Sequence, residues 1–258
     1  MQDYLAFCQQ LIQEAGQMLR DQLAVTHRVT RKSSTFDLVT EVDEAVQQLL
    51  VQRIRSQFPE HGIVAEEALA ESEASDLTWY IDPLDGTTNY WHRVPFFCTS
   101  MALCDHDGPL LGVIYAPAND ELFWATRGGG AFNRHGPLQV SHIDRLEQSL
   151  IVTGFPYQRA PGTDNNLTEF TRVVPHVQGI RRSGSAALDL AYVAAGRFDG
   201  YWEFYLKPWD ALAGQLMVSE AGGHLSIVRS EGAIHGAGGM LATNGRIHGA
   251  LRDLLTGE

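Results

Sequence analysis

Asp82-Pro83-Leu84-Asp85-Gly86-Thr87-Thr88 is the stretch on which the reading of this chain turns. Two carboxylates stand three residues apart around a proline, and a glycine and two hydroxyls follow. Pro83 fixes its own φ and restricts Asp82 before it, so the turn is stiff. Gly86 permits a backbone geometry, or a close approach, that a side chain would block. If a helix or tight turn begins here, the amides of Gly86, Thr87 and Thr88 point outward together and seat a phosphate. Asp82 and Asp85, displaced to either side, suit hard cations, which take oxygen ligands. The plainer alternative is an Asp-Gly turn closing a strand, with Thr87 or Thr88 capping a helix. Spacing excludes two near-matches. An EF-hand needs acidic residues at alternate loop positions with glycine sixth, and phosphatases that form an aspartyl-phosphate separate their aspartates by one residue rather than two.

Working outward, residues 78–81 (Thr, Trp, Tyr, Ile) have strand composition and run straight into Asp82. Upstream, Leu5, Cys8, Leu11, Ile12, Ala15 and Leu19 recur at helical spacing, which predicts an amphipathic surface helix and not a signal peptide. A second helix is expected over 42–58, with Pro59 ending it. Downstream, strands near 96–104, 110–115 and 121–126 are separated by turn residues, which predicts antiparallel pairing. From residue 149 the pattern alternates: strands at 149–153, 179–182, 198–203, 224–228 and 240–243, helices at 165–174, 185–195, 210–221 and 246–255. A strand-rich part, residues 1–145, and an alternating part, residues 146–258, are expected as two subdomains packed on each other.

The bulk properties narrow the function classes. The chain has 258 residues, ordinary globular composition and a formal net charge of −12, with a pI of about 5.2. Such acidity argues against direct nucleic-acid binding, which needs a surface excess of Lys and Arg. It would also repel a phosphate substrate, unless cations intervene. No apolar stretch approaches the roughly 20 residues of a membrane span. The three cysteines lack CxxC spacing, so neither a disulfide framework nor a zinc site is suggested. They read as small buried residues of a cytoplasmic protein.

Other carboxylates occupy similar strand-end settings. Glu66-Glu67 follows Ile63-Val64-Ala65, and Asp210 follows Trp209 at a helix start. Asp43 falls in the first turn of the second helix. Viewed singly, they read as a solvated loop, an N-cap and a complement to the helix dipole.

Together they resemble the inositol monophosphatase family. Lys32-Ser33-Ser34 with Asp37-Leu38-Val39-Thr40-Glu41-Val42-Asp43 is similar to its first motif, and Gly62-Ile63-Val64-Ala65-Glu66-Glu67 to its metal-carboxylate loop. Residues 82–90 match its signature, and Trp209-Asp210-Ala211-Leu212-Ala213-Gly214 its C-terminal signature. Gly154-Phe155-Pro156-Tyr157 and Arg181-Arg182 look like bacterial members. The resemblance implies a layered α/β/α/β/α sandwich of the inositol monophosphatase and fructose-bisphosphatase type. It also implies a homodimer and a site with two to three Mg²⁺ ions. Glu66, Asp82 and the Leu84 carbonyl would hold the first, Asp82, Asp85 and Asp210 the second, and Glu66 would contribute to a third. Without metal the cluster would repel itself, since two charges about 4 Å apart cost about 4 kcal/mol at an effective dielectric near 20.

By the same resemblance, Thr87 and Asp43 would orient a water for in-line attack, with Glu66 also catalytic. Amides of Gly86, Thr87 and Thr88 would hold the phosphate. Asp85, Gly184, Ser185, Ala186 and Glu203 would meet the alcohol, and Lys32 would lie on a segment over the site. The expected substrate is a small phosphorylated polyol, myo-inositol monophosphate first. Histidinol phosphate, a sugar bisphosphate and a regulatory role beside transcription are the alternatives.

Overall fold

The computed structural model describes residues 1–24, 29–31, 38–66, 75–157, 165–229 and 239–258. Its first layer follows from two amphipathic stripes. Helix α1 (Gln2–Gln22) buries Cys8, Leu11, Ile12, Ala15 and Leu19, and α2 (Glu41–Gln57) buries Val42, Val46, Leu50 and Ile54. A short antiparallel ribbon, β1 (Val29–Arg31) with β2 (Leu38–Thr40), precedes α2. Both helices cover one face of a seven-stranded sheet in strand order β3 to β9. Its strands are β3 (Gly62–Ala65), β4 (Thr78–Asp85), β5 (Cys98–Asp105), β6 (Gly108–Ala116), β7 (Glu121–Thr126), β8 (Gly130–Asn133) and β9 (Gly136–Pro137). Only β3 and β4 pair in parallel; the expected antiparallel pairing holds for β5, β6 and β7.

The short helix α3 (Thr87–Trp91) follows β4. The second sheet has five strands in the order β11-β10-β12-β14-β13. They are β10 (Leu150–Thr153), β11 (Gly179–Arg181), β12 (Gly200–Glu203), β13 (His224–Ile227) and β14 (Met240–Thr243). Helices α5 (Ala186–Ala194) and α6 (Pro208–Glu220) lie between the sheets, in a core that draws on Ile114, Phe123, Leu188, Met217 and Tyr201. Helices α4 (Leu167–Val173) and α7 (His248–Thr256) cover the outer face of the second sheet with Val173, Trp202, Leu241 and Leu251. The layers therefore run α/β/α/β/α, as the family resemblance implies.

Two boundaries differ for identifiable reasons. Helix α6 starts at Pro208, two residues ahead of the expected Asp210, because proline suits a first-turn position where its missing N–H is not needed. Strand β4 runs past residue 81 to Asp85 but carries a register shift, with Asp82 opposite Ser100 and Asp85 opposite Cys98. Three steps on β4 thus match two on β5. Pro83 cannot donate to the ladder, and a bulge is how a strand tolerates it. Cys8, Cys98 and Cys104 are buried and free, and burial raises all three thiols above their ordinary range.

Candidate active site

The bulge decides where the two aspartates of the signature point. Strict alternation would put residues three apart on opposite faces of β4. The extra residue restores them to one side, while Leu84 turns into the core with Trp79 and Ile81. Asp82 Oδ1 accepts the Leu84 N–H at 3.0 Å, and the Thr99 hydroxyl donates to the Pro83 carbonyl at 2.9 Å. The turn that proline opens is therefore pinned from both sides. Gly86 follows with φ +96°, and a Cβ there would crowd the Phe96 carbonyl at 3.1 Å and the Gly184 carbonyl at 3.3 Å. Both its conformation and its surroundings require glycine.

Glu66, Asp82, Leu84, Asp85, Gly86 and Thr87 line one cavity of about 680 Å³. Gly184, Ser185, Ala186, Glu203 and Asp210 line it from the other sheet and the helices between. The carboxyl ends of the parallel strands all lead here: β3 to Glu66, β4 to Asp85, β10 to Gly154, β11 to Arg182, β12 to Glu203. Strand β10 is flanked in parallel by β11 on one side and β12 on the other. Such a reversal of strand order opens a crevice at the strands' carboxyl ends, a common ligand site in α/β sheets.

Asp43 stands behind this wall, fully buried. Its Oδ2 accepts the Thr40 N–H at 3.0 Å and the Thr40 hydroxyl, closing the start of α2. Its Oδ1 accepts the Thr87 hydroxyl at 3.0 Å. One carboxylate thus both caps a helix and holds a cavity side chain. The Thr87 hydroxyl also lies 3.1 Å from the Leu84 carbonyl, so its single proton is committed to an acceptor and its lone pairs remain for the cavity. Thr88 is exposed and is not among the residues that line the cavity. Lys32, Asp37 and Glu67 fall outside the described residues.

Asp85 joins the two sheets. Its Oδ2 accepts the Ser185 hydroxyl and the Ala187 N–H, each at 2.7 Å. It therefore caps α5 from the other side of the cavity, where the helix dipole favours negative charge. Asp210, in the first turn of α6, accepts the Lys207 N–H at 2.7 Å.

The charges stand in tension. Burial, then Glu66, Asp85 and Asp210, raise the Asp82 carboxyl well above its ordinary range. Burial and Glu66 do the same to Asp210. Asp85 is pushed up to about 6 by burial, against the opposing hydrogen bonds from Ser185 and Ala187. Asp43 also rises to about 6 by burial, opposed by Thr40. A wall of oxygen donors that repel one another fits hard divalent cations, which would relieve that repulsion. Among the described residues no three of these groups already converge as a finished coordination sphere, so the fit rests on donor chemistry and on the shared wall.

Several lining residues escaped the sequence reading. Asp189 lies on α5 one turn beyond Ser185, and that i, i+4 spacing was the available signal. Phe155, Pro156, Tyr157, Arg182, Tyr205 and Lys207 line the cavity from loops at strand ends. Gly154 matters by what it lacks, since a Cβ there would fall inside the Glu203 carboxylate. Tyr205, between Glu203 and Asp210, holds φ +64°, an uncommon conformation for a residue with a side chain.

The model of the inositol monophosphatase family matches residues 1–256. An inositol-1-monophosphatase of Synechocystis is 41% identical over 256 residues, spanning 99% of this chain and 89% of that protein. A Nus factor SuhB of Pseudomonas aeruginosa is 47% identical over 196 residues, 74% of this chain and 72% of that one. Among solved structures, inositol monophosphatase from Anabaena superposes with a TM-score of 0.89 at 41% identity, covering 99% of this chain and 96% of the other. The extragenic suppressor protein SuhB of Bartonella henselae gives 0.92 at 39% identity, with 98% of each chain covered. With the whole length matched and the same fold in its relatives, the chain belongs to the inositol monophosphatase family.

Proposed function

We propose that this chain is a Mg²⁺-dependent phosphoric monoester hydrolase acting on a small phosphorylated polyol, myo-inositol monophosphate first. The observation that carries the reading is the convergence of Glu66, Asp82, Asp85 and Asp210 on one cavity, beside a threonine held by a buried aspartate. Glu66, Asp82 and the Leu84 carbonyl would hold one ion, Asp82, Asp85 and Asp210 a second, and Glu66 part of a third. When bound, such ions activate water and offset charge on the phosphate and the departing oxygen. Thr87 Oγ1 turns its lone pairs to the attacking water and orients it. Asp43 takes up the proton through Thr87, as a general base must. Glu66, which lines the same cavity, polarises the same water. Backbone amides of Gly86, Thr87 and Thr88 receive phosphate oxygens. Gly184, Ser185, Ala186, Glu203 and the Asp85 carboxylate frame the alcohol. We place the enzyme in the cytoplasm as a homodimer.

Phosphate release from inositol 1-phosphate, histidinol phosphate and fructose bisphosphate, with and without Mg²⁺, tests the reading. Mg²⁺-dependent release fastest from inositol 1-phosphate, inhibited by lithium, is expected. Release from none of the three, or release unaffected by chelation, would overturn it; rapid release from histidinol phosphate alone would move the substrate. A second reading, a role in transcription complexes beside catalysis, draws on relatives named Nus factor. Co-purification of the chain with RNA polymerase, unaffected by Asp210→Asn, would support it.

A further inference from the structure

Asp189 lines the cavity yet has no part in the metal, water or phosphate roles above. It sits one turn beyond Ser185 on α5 and is 2% exposed. Its Oδ1 accepts the Ser183 hydroxyl, the one hydrogen bond to this side chain among the described residues. Oδ2 accepts none. A buried polar oxygen left unpaired costs about 1–3 kcal/mol, so a partner supplied by a ligand is the economical explanation for its place in a cavity wall.

The surroundings say what that partner is. Glu203, at the end of β12, stands close enough for its charge to act on Asp189, and Glu203 Oε2 itself accepts the buried Tyr201 hydroxyl at 2.8 Å. The charge of Asp85 acts on Asp189 as well, and Arg182 partly offsets the acidity. An end of the cavity built from hydrogen-bond acceptors suits a molecule that brings donors. The hydroxyls of a polyol are such donors; a bare hydrocarbon ring has none.

We propose that Asp189 is a specificity-determining residue, whose unpaired carboxylate oxygen takes a hydrogen bond from a hydroxyl on the alcohol half of the substrate. This rests on the phosphatase reading and narrows it to hydroxylated alcohols. The rival role is structural: Asp189 would merely fix the Ser183 turn that carries Gly184 and Ser185. Asp189→Asn keeps an oxygen for Ser183 and replaces the free one by an amide donor. Ser183→Ala removes the turn contact and leaves the free oxygen in place.

The test compares wild type, Asp189→Asn and Ser183→Ala on two esters of one ring, myo-inositol 1-phosphate and cyclohexyl phosphate, with Mg²⁺ present. Asp189→Asn should lower kcat/KM for the inositol ester about tenfold, the worth of one net hydrogen bond, chiefly through KM. The cyclohexyl ester should change by less than about twofold, and Ser183→Ala should leave the ratio of the two esters where it was. Equal losses on both esters in Asp189→Asn, or the same change of ratio in Ser183→Ala, would overturn the inference alone. A wild type that hydrolyses neither ester would overturn the phosphatase reading together with it. Should Asp189→Asn not fold, Asp189→Glu shifts the same oxygen by one methylene and must alter the ratio likewise.

Discussion

Asp43→Asn separates the two tasks of one buried side chain. The native carboxylate accepts three hydrogen bonds, two from Thr40 through Oδ2 and one from Thr87 through Oδ1. An amide keeps one acceptor and turns its other atom into a donor, so it can serve Thr40 or Thr87 but not both. Thr40 offers two donors and holds the start of α2, so the oxygen stays there and the amide nitrogen faces Thr87. The cap then survives, and stability falls by no more than about 1 kcal/mol. Thr87 keeps only the Leu84 carbonyl at 3.1 Å as an acceptor. Its hydroxyl loses the proton acceptor behind it, a contribution typically worth about 10²–10⁴ in rate, or about 3–5 kcal/mol of barrier. The assay is thermal unfolding beside steady-state kinetics on inositol 1-phosphate with Mg²⁺. We expect kcat to fall by that factor with KM nearly constant, and Asp43→Asn with Thr87→Val to lose little more than either alone. Only the ionised carboxylate accepts all three bonds, and burial places its titration at about 6. Wild-type kcat should therefore decline as pH falls through that value, a limb Asp43→Asn lacks. A variant that unfolds normally and keeps kcat within about threefold of wild type would refute the assignment.

Asp210→Asn leaves an oxygen for the Lys207 N–H and removes one like charge from the cluster, so the apo protein should unfold no earlier than wild type. Turnover should disappear and the rise of Tm with Mg²⁺ should shrink, since the ion on Glu66, Asp82 and the Leu84 carbonyl keeps its ligands; near-normal turnover removes Asp210 from the site. Gly154→Ala drives a methyl into the Glu203 carboxylate, so Glu203 must move. A destabilisation of about 1–3 kcal/mol is expected, with KM for a polyol ester raised and kcat less affected; an unchanged KM would mean that Glu203 does not touch the alcohol. His248, buried between Ser226 and Thr243, is lowered from 6.5 to about 4, by burial first and then by His224 and Arg252. The unfolded chain therefore binds more protons between those values, and stability is lost as pH falls through that window. The full shift corresponds to about 3 kcal/mol at about 1.4 per unit, and solvent near the exposed His224 reduces it to about half. Urea unfolding of His248→Gln between pH 7 and 4 should show a flatter loss; the wild-type slope in that variant would assign it elsewhere.

The helices and strands were legible because each type has its own periodicity, whereas the order of the layers came from the family resemblance. The stripe from Leu5 to Leu19 and the short apolar runs after residue 149 are local signals that packing did not override. Residues 82–88 read as a stiff turn after a strand ending at residue 81; that β4 runs on to Asp85 through a bulge was not read, although a proline between two aspartates cannot sit in a regular central strand. What sequence could not give was the register on the far side. That Asp82 faces Ser100 and Asp85 faces Cys98 depends on β5, a strand that carries none of the expected chemistry. Asp189 was missed for a related reason. Read along the chain it is one polar residue in an apolar helix, and only the proximity of Asp85 and Glu203 makes it a wall of the cavity. Gly154 was visible as part of a bacterial-looking tetrapeptide, but its reason, the Glu203 carboxylate beside it, lies 49 positions away on another strand.

Asp85 gathers these threads, because two roles fall to it and its two oxygens divide them. Oδ2 is fully spent on the Ser185 hydroxyl and the Ala187 N–H, the start of a helix from the other sheet. Oδ1 is then the oxygen left for a cation, so in the proposed site Asp85 would act through one oxygen. The same division gives it a second, indirect part in placing the substrate. By holding Ser185, Asp85 sets where Gly184 and Ala186 stand along the cavity edge, and with them where α5 presents Asp189. Burial has raised Asp85 to about 6, and the two α5 donors pull the other way. The helix start thus works against the protonation that burial first, and Glu66 after it, would favour. In the proposed site, metal affinity and alcohol recognition would in this way be coupled through one side chain, and the three-residue spacing from Asp82 is the feature of the sequence that would make the coupling possible.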